Sequence, residues 1–224
     1  MKKFILILFS IISFAILEEK EENPYKKYTE NLPFSMPEIF APKFPNITIN
    51  ILDFGAVGDG KTLCTESFAA AIDTLSKEGG GMLLVPPGVW FTGPIVLKSN
   101  INLHLEVGAV ILFSGDDSLY SIVQTSFEGL DTYRCQSPLS AINATNIAIT
   151  GKGVIDGNGQ FWRPVKKAKV TESQWKEVIS RPEGYLSRED YWVPNEGYAK
   201  AEAKANMNVV IADTEEEWNE YKRF

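Results

Sequence analysis

The stretch Asp53–Thr62, DFGAVGDGKT, contains Gly55–Thr62, GAVGDGKT, which satisfies the phosphate-binding pattern G-x-x-x-x-G-K-[S/T] at every position. In that pattern, backbone N–H groups at a helix N-terminus bind phosphate, the lysine reaches the terminal phosphates and the hydroxyl holds magnesium. The strand-like run Val209–Asp213 would supply a magnesium-binding aspartate. However, Asp59 lies inside the loop, where its carboxylate would repel phosphate. The rest of the chain must distinguish a nucleotide site from a structural turn.

The N-terminus is typical of a secretory signal peptide, which we predict over residues 1–17. Lys2 and Lys3 precede the apolar run Phe4–Leu17, which is shorter than the roughly 18 to 20 residues that a membrane-spanning helix requires, and acidic residues follow from Glu18. An uncleaved membrane anchor is the alternative. We therefore expect a secreted protein, extracellular or periplasmic, with no membrane contact after cleavage. Little ATP is present in those compartments, which argues against the nucleotide site.

The composition excludes several kinds of partner. The chain has 22 Lys+Arg against 29 Asp+Glu, a net charge of −7, whereas nucleic-acid binding requires a basic surface. A single histidine, His104, rules out a Cys/His metal cluster, and we expect no metal and no cofactor. Cys64 and Cys135 permit one disulfide in a secreted chain without requiring it. The sequons at Asn46 and Asn143 would accept N-glycans in a eukaryotic source.

The chain divides by composition into three parts after the signal. Residues 18–45 are rich in Glu, Lys, Asn and Pro, which predicts an extended lead-in. Residues 46–160 contain short apolar runs separated by Gly and Pro, which predicts short strands with one helix. Residues 161–224 are aromatic and charged without alternation, which predicts a long loop, with or without short helices. We therefore expect one domain, or part of one, with an attached segment.

The single helix follows the glycine-rich loop and ends at Gly79–Gly81. Its apolar residues Phe68, Ile72 and Leu75 lie on one helical face. We expect this face to cover an apolar edge of the strands.

An internal repeat favours a β-solenoid. Asn102–Ile111, NLHLEVGAVI, aligns with Asn146–Ile155, NIAITGKGVI, at an offset of 146 − 102 = 44 residues. Twice roughly 22 residues suits stacked coils that each contribute short parallel strands to one core. A β-sandwich and an open sheet stay as alternatives, because strand order cannot be read from one sequence.

The stretch Asp53–Thr62 also belongs to a set of motifs that resembles a known protein family. Together with VPPGVW at Val85–Trp90, TGPI at Thr92–Ile95 and GVIDGNGQFW at Gly153–Trp162, it resembles the N-terminal part of polygalacturonases, family 28 of the glycoside hydrolases. The resemblance covers about Ile47–Lys169, continues more weakly to the C-terminus, and is strongest to bacterial-type members, which are often exo-acting. The first motif alone is less specific, since pectate lyases and phage tailspike proteins share it.

The resemblance implies an all-β fold, a right-handed parallel β-helix whose N-terminal coils carry a capping α-helix. In these proteins the glycine-rich loop joins the first strand to that helix, so we expect Gly55, Gly58 and Gly60 to shape a turn and no nucleotide to bind. The implied activity is hydrolysis of α-1,4-galacturonosyl bonds of pectin with inversion, by one carboxylic acid and opposing carboxylates that activate water.

The family's catalytic motifs are missing from this sequence. Asn-Thr-Asp, Gly-His-Gly and Arg-Ile-Lys do not occur, and His104 stands between leucines, which predicts an outward-facing strand residue. The dyad Asp116-Asp117 follows an early strand and is predicted to form a turn, and Asp156 between a strand and a glycine is predicted at a coil corner. We therefore assign no catalytic residue. The chain is interpreted as a monomeric N-terminal fragment, from a truncated, mispredicted or decayed gene, that does not hydrolyse pectin alone.

Some residues of the C-terminal segment are candidates for contact with the polysaccharide. The candidate substrate-binding residues are Trp162, Arg163, Lys166 and Lys167. The cations, with Lys169, would pair with galacturonate carboxylates, while Trp162, Trp175 or Trp192 would stack on sugar rings. A solvated basic loop and aromatic packing are the alternatives.

Two other functions remain open at this stage. One is a β-helix that binds an acidic polysaccharide without cutting it. The absence of the catalytic motifs favours this interpretation. The other is a pectate lyase relative, which would need calcium and would cut by elimination.

Overall fold

The computed structural model describes residues 23–127, 129–182, 184–204 and 216. The predicted signal peptide and the run Val209–Asp213 lie outside the described residues. The chain forms two compact units, residues 1–41 and 42–224. In the described part of the first, a short 3-10 turn spans Lys26–Tyr28, and Asn23 Nδ2 donates a hydrogen bond to the Ile39 carbonyl at 2.8 Å. This unit has no long regular element among its described residues.

The second unit is built from short strands with three α-helices among its described residues. The helices are α1 (Thr65–Lys77), α2 (Glu172–Ile179) and α3 (Glu196–Lys204). The strands are β1 (Thr48–Asn50), β2 (Gly81–Val85), β3 (Gly88–Thr92), β4 (Ile95–Val96), β5 (Ile101–Leu105), β6 (Ala109–Phe113), β7 (Ile122–Phe127), β8 (Leu130–Cys135), β9 (Leu139–Ser140), β10 (Ala148–Gly151), β11 (Val154–Asp156), β12 (Val165–Lys166), β13 (Tyr185–Arg188) and β14 (Tyr191–Val193). No described helix is both long and apolar enough to cross a bilayer.

Most strands lie in three parallel sheets. The first has the order β1-β2-β5-β10, the second β11-β6-β3, and the third pairs β4 with β9. Consecutive strands such as β2, β3 and β4 therefore enter different sheets, and each later strand pairs in parallel with one from an earlier passage of the chain. The prediction of short parallel strands is confirmed. We call these three sheets the parallel stack.

The register corrects the interpretation of the internal repeat. Asn102 pairs with Ala148, an offset of 46, whereas Val110 pairs with Val154, an offset of 44. The two halves of the repeat are therefore direct neighbours in the sheets and not two coils apart. The 44-residue spacing is one passage of the chain plus an inserted antiparallel hairpin, β7 with β8.

The core of the parallel stack is apolar and is covered by α1 at one end. Strand residues that alternate inward are fully buried, as Leu83 and Leu103 at 0% exposure show. From α1, Phe68, Ile72 and Leu75 are 0–1% exposed and belong to the same cluster. The prediction that this helical face covers the apolar edge of the strands is confirmed. Burying these side chains stabilises the fold by about 1.5–3 kcal/mol each.

The other end of the parallel stack exposes apolar side chains. Ile149 on β10 pairs with the buried Leu103 but is itself 50% exposed. Ile155 on β11 pairs with the buried Ile111 and is 38% exposed. These positions have inward-facing character by register, yet their side chains are partly exposed.

The segment after the parallel stack is more regular than the sequence predicts. A three-stranded antiparallel sheet of order β12-β14-β13 lies there with α2 and α3. The prediction of a long loop with short helices missed these strands, because strands of two to four residues carry too little alternation to detect. Trp175, Val178 and Trp192 form the segment's own small core. We call residues 157–204 the attached segment.

Candidate functional site

The glycine-rich loop is held by its own aspartate. Asp59 Oδ1 accepts the backbone N–H groups of Lys61 at 2.8 Å and Thr62 at 2.7 Å, and Oδ2 accepts the Thr62 hydroxyl at 2.8 Å. Hydrogen bonds from the backbone N–H groups lower the pKa of the Asp59 carboxyl below its usual value, with the larger contribution from Thr62 and the next from Lys61. Gly60 N–H donates to the Val89 carbonyl at 2.8 Å. The N–H groups of Gly60, Lys61 and Thr62, which a phosphate would need, are therefore engaged within the protein.

Two of the three glycines in this loop serve the turn. Gly55 and Gly60 have φ of 77° and 72°, a left-handed conformation that glycine adopts at little cost. Gly58 has a different role from the one predicted. A Cβ at Gly58 would lie 3.2 Å from the Trp90 ring, so this glycine permits the close approach of a buried indole.

A basic cavity of about 840 Å³ lies in the attached segment, between residues of β12, α2 and β14. Its charged lining residues are Arg163, Lys166, Lys169, Glu177 and Arg181. Four cations therefore face one carboxylate, in a chain whose net charge is −7. Such a concentration of positive charge favours an anionic ligand. We call this the basic cavity.

The structure separates the two lysines that the sequence grouped together. Lys166 lies in β12 and lines the basic cavity, whereas Lys167 is not a lining residue. Lys167 Nζ lies 3.9 Å from Glu172 Oε1, at the first turn of α2. Lys166 ends the strand and Lys167 begins a 3-10 helix, Lys167–Lys169, and only Lys166 of the pair lines the cavity. Lys167 is therefore a poor candidate for the predicted carboxylate contact.

Helix α2 positions the wall of the basic cavity. Thr171 and Gln174 form a capping box at its start, in which each side chain bonds to the other's backbone N–H. Trp175 and Val178, each 6% exposed, anchor the helix in the small core, and Val178 also lines the cavity. The predicted sugar-stacking role of Trp175 is wrong, because its ring is buried.

Arg181 follows α2 and is the cation that the sequence did not single out. Its Nη2 lies 3.6 Å from Glu177 Oε1, and its guanidinium lies 5.6 Å from the centre of the Trp192 ring. Trp192 is 3% exposed, so the predicted stacking role for this residue is also wrong. The sequence did not indicate Arg181, because Arg181 is distant from Arg163 and Lys166 along the chain and comes close to them only through the fold of α2.

A second cavity, of about 550 Å³, adjoins Arg181 on its other side. Residues from the loop after β6, from the turn after β11 and from the chain after β14 line it. We call this the aromatic cavity. Its lining residues include Gly115, Asp116, Asp117, Phe161, Trp162, Arg181 and Asn195.

Trp162 lines the aromatic cavity and also packs against the loop after β6. Its ring meets Tyr120 edge to face, with centroids 4.9 Å apart and planes at 84°. Tyr120 is 1% exposed and donates its hydroxyl to the Ser114 carbonyl at 2.8 Å. Burial, with a smaller contribution from the charge of Asp116, raises the pKa of Tyr120 to about 12. The aromatic packing proposed as the alternative role of Trp162 is present.

The aspartates lie at turns, as predicted. Asp116 Oδ1 accepts the Ser118 N–H at 2.9 Å, and Asp156 Oδ1 accepts the Asn158 N–H at 2.8 Å. The sequence did not indicate that Asn195 Nδ2 donates to Asp117 Oδ2 at 3.3 Å. This contact spans 78 residues of sequence and ties the attached segment to the parallel stack.

His104 lies on the face of β5 opposite the core leucines, as its alternation predicts. Its Nδ1 lies 2.7 Å from Thr150 Oγ1, and the Thr150 hydroxyl donates to Asn102 Oδ1 at 2.8 Å. The arrangement is a polar link between neighbouring strands.

Other sequence predictions can be placed in the structure. Cys64 and Cys135 do not form a disulfide, and the Cys64 thiol lies 3.3 Å from the Thr62 carbonyl. The sequon residues Asn46 and Asn143 are both exposed. Within the described residues, no group of three His, Cys, Asp or Glu side chains has the arrangement of a metal site.

Comparison with known proteins finds similarity to polygalacturonases over about half of the chain. It is 41% identical over 122 residues to a probable polygalacturonase of Vitis vinifera, covering 50% of this chain and 25% of the relative. A crystal structure of a hyperthermoactive exopolygalacturonase from Thermotoga maritima matches with 49% identity and a TM-score of 0.51, over 55% of this chain and 28% of that one. The chain is a homologue of the polygalacturonases.

A second solved structure extends the match toward the attached segment. The family 28 exopolygalacturonase of Yersinia enterocolitica matches with 28% identity and a TM-score of 0.51, over 79% of this chain and 31% of that one. No protein-family model matches the chain. The chain spans about a fifth to a third of the length of the polygalacturonases it matches. The resemblance read from the sequence motifs is confirmed.

Proposed function

We propose that this chain is part of a secreted polygalacturonase-type glycosidase, which in its complete form hydrolyses α-1,4-galacturonosyl bonds of pectin with inversion. Identity of 41–49% to a polygalacturonase and an exopolygalacturonase over about half of the chain carries the proposal. The chain itself holds polymer without cutting it, since the Asn-Thr-Asp, Gly-His-Gly and Arg-Ile-Lys motifs are missing from its sequence.

The fold supports the same proposal. We propose that the three parallel sheets, which successive strands enter in turn, belong to a right-handed parallel β-helix, and that residues 46–160 form its first coils. The helix α1 caps their apolar end, and the hairpin of β7 and β8 is an insertion between coils. In this arrangement substrate binds to surfaces built on the coils and their loops.

The basic cavity is the part of this chain that we propose contacts the polymer. Polygalacturonate carries a carboxylate on each sugar unit, and Arg163 and Arg181 can each bind a carboxylate through two N–H groups. Lys166 and Lys169 add point charges to the same cavity. A polyanion would therefore bind here more tightly at low salt than at high salt.

Neighbouring lysines provide a matched test. We expect Lys166→Ala to weaken the binding of trigalacturonate to the purified chain by at least about fivefold, or ~1 kcal/mol. Lys167→Ala, with its side chain outside the basic cavity, should leave the dissociation constant unchanged. Isothermal titration calorimetry at two salt concentrations measures both. Equal effects of the two substitutions, or no binding by the wild-type chain, would refute the carboxylate contact.

Release of reducing ends from polygalacturonate tests the catalytic half of the proposal. We expect none from the purified chain. Measurable hydrolysis would mean that catalytic acids are present here and have been overlooked. Unsaturated products absorbing in the ultraviolet would instead indicate elimination by a lyase.

A further inference from the structure

We propose that the aromatic cavity binds one uncharged pyranose ring, next to the carboxylate-binding basic cavity. Its volume of about 550 Å³ lies within the range of small-molecule sites, roughly 300–1,000 Å³. It combines aromatic walls with a small number of polar side chains, which is the usual composition of a site for a polar ring with apolar faces. This inference extends the proposed function, and it rests on that function only for the identity of the polymer.

Phe161 supplies an exposed apolar wall. Its ring is 46% exposed although it lies beside buried aromatic residues. Phe161 packs directly onto Gly115, so closely that any side chain at that glycine would collide with the phenyl ring. The glycine therefore fixes the ring at the cavity wall, where its open face can pack against the C–H face of a sugar.

Asp117 and Asn195 supply hydrogen-bonding groups on a wall of the cavity. Asn195 Nδ2 donates to Asp117 Oδ2 at 3.3 Å, which holds the two side chains side by side. Asn195 Oδ1 also accepts the Tyr198 N–H at 2.8 Å. A carboxylate offers about four lone-pair positions, so sugar hydroxyls can donate to Asp117 alongside its contact with Asn195. Both residues line the cavity together with Trp162.

Charge decides which kind of sugar suits each cavity. The aromatic cavity has two carboxylates, Asp116 and Asp117, against the single cation Arg181. A second carboxylate from a uronate would be repelled there, while uncharged hydroxyls would be accepted. Arg181 lines both cavities, so it stands where the charged group of one unit and the ring of its neighbour would meet.

Methyl α-D-galactopyranoside is the probe for this cavity, and trigalacturonate is the probe for the proposed function. We expect the purified chain to bind the galactoside, and Phe161→Ala to raise its dissociation constant at least about tenfold. Phe40→Ala removes the same side chain from another exposed position, 67% exposed, and serves as the matched control. Ligand-observed NMR measures these weak affinities, and circular dichroism confirms that each variant is folded.

The outcomes separate this inference from the proposed function. Loss of galactoside binding in Phe161→Ala, with wild-type affinity in Lys166→Ala and Phe40→Ala, supports an uncharged ring site. No galactoside binding by the wild-type chain overturns the inference, as does equal binding by Phe161→Ala. If Lys166→Ala still weakens the binding of trigalacturonate in that case, the proposed function is supported and only the ring site is refuted.

Discussion

The two ends of the parallel stack differ in what covers them. At one end α1 buries Phe68 and Leu75 at 0% exposure against the strands. At the other, Ile149 and Ile155 lie in register with the buried strand residues Leu103 and Ile111 but are 50% and 38% exposed. The same kind of strand residue is therefore core inside the stack and surface at this end. The difference teaches that an inward-facing side chain stabilises the stack only where another layer covers it.

The largest loss of stability is expected when a buried side chain is removed from the covered end. Phe68→Ala should lower the free energy of unfolding by about 3–5 kcal/mol, because it removes a fully buried ring and leaves a cavity. Ile149→Ala at the open end should cost less than about 1 kcal/mol. Urea unfolding of the two variants, followed by circular dichroism, measures the contrast. Equal losses would mean that the two ends are covered alike in solution.

A smaller effect should show that the backbone at the open end is fixed even though its side chains are exposed. Gly151 ends β10 with φ of 94°, and a Cβ there would collide with the Leu105 carbonyl on the neighbouring strand. We expect Gly151→Ala to destabilise the protein by about 2 kcal/mol or more. Thermal unfolding, monitored by circular dichroism, measures the loss.

The control is Gly55→Ala, a glycine with a similar φ of 77° but no atom within 4 Å of the added Cβ. This variant should lose only the cost of the left-handed conformation, about 1 kcal/mol. If both variants lose the same amount, the close packing of Gly151 on Leu105 contributes nothing, and the open end is loose in its backbone too.

The covered end was easier to predict from the sequence, because its pattern of apolar residues lies within a single helix. The 3.6-residue spacing of Phe68, Ile72 and Leu75 lies within one helix and identifies the buried face directly. The repeat was aligned wrongly at its first half because its register depends on the turns. By register, the step from Leu105 to Val110 is 110 − 105 = 5 residues, and the matching step from Gly151 to Val154 is 154 − 151 = 3.

The candidate site was only partly predictable, because its residues meet through distant contacts. Arg163 and Lys166 could be named from their basic run, but their separation from Lys167 depends on β12, a strand of two residues. The contact of Asp117 with Asn195 leaves no local signal, since the partners are 78 residues apart. Pairing of this kind becomes visible only once the attached segment is placed against the parallel stack.

The smallest effect concerns Tyr120, which is buried at the contact between the parallel stack and the attached segment. Its pKa is about 12 in the folded protein against an ordinary value of 10.0. Its stabilisation is therefore fully present below pH 10, where both states keep the proton. Between pH 10 and 12 the unfolded chain loses the proton while the folded one retains it, so stability falls as the pH rises.

Tyr120→Phe removes both this titration and the hydrogen bond to Ser114, which is worth about 1 kcal/mol at neutral pH. We expect the melting temperature of the wild-type protein to approach that of the variant as the pH rises from 10 to 12. Tyr28→Phe, at a side chain 63% exposed, should follow the wild-type curve throughout. Parallel curves for wild type and Tyr120→Phe would show that the phenol titrates normally. The contact between the two regions would then admit water, and the contrast between covered and open surfaces would not extend to it.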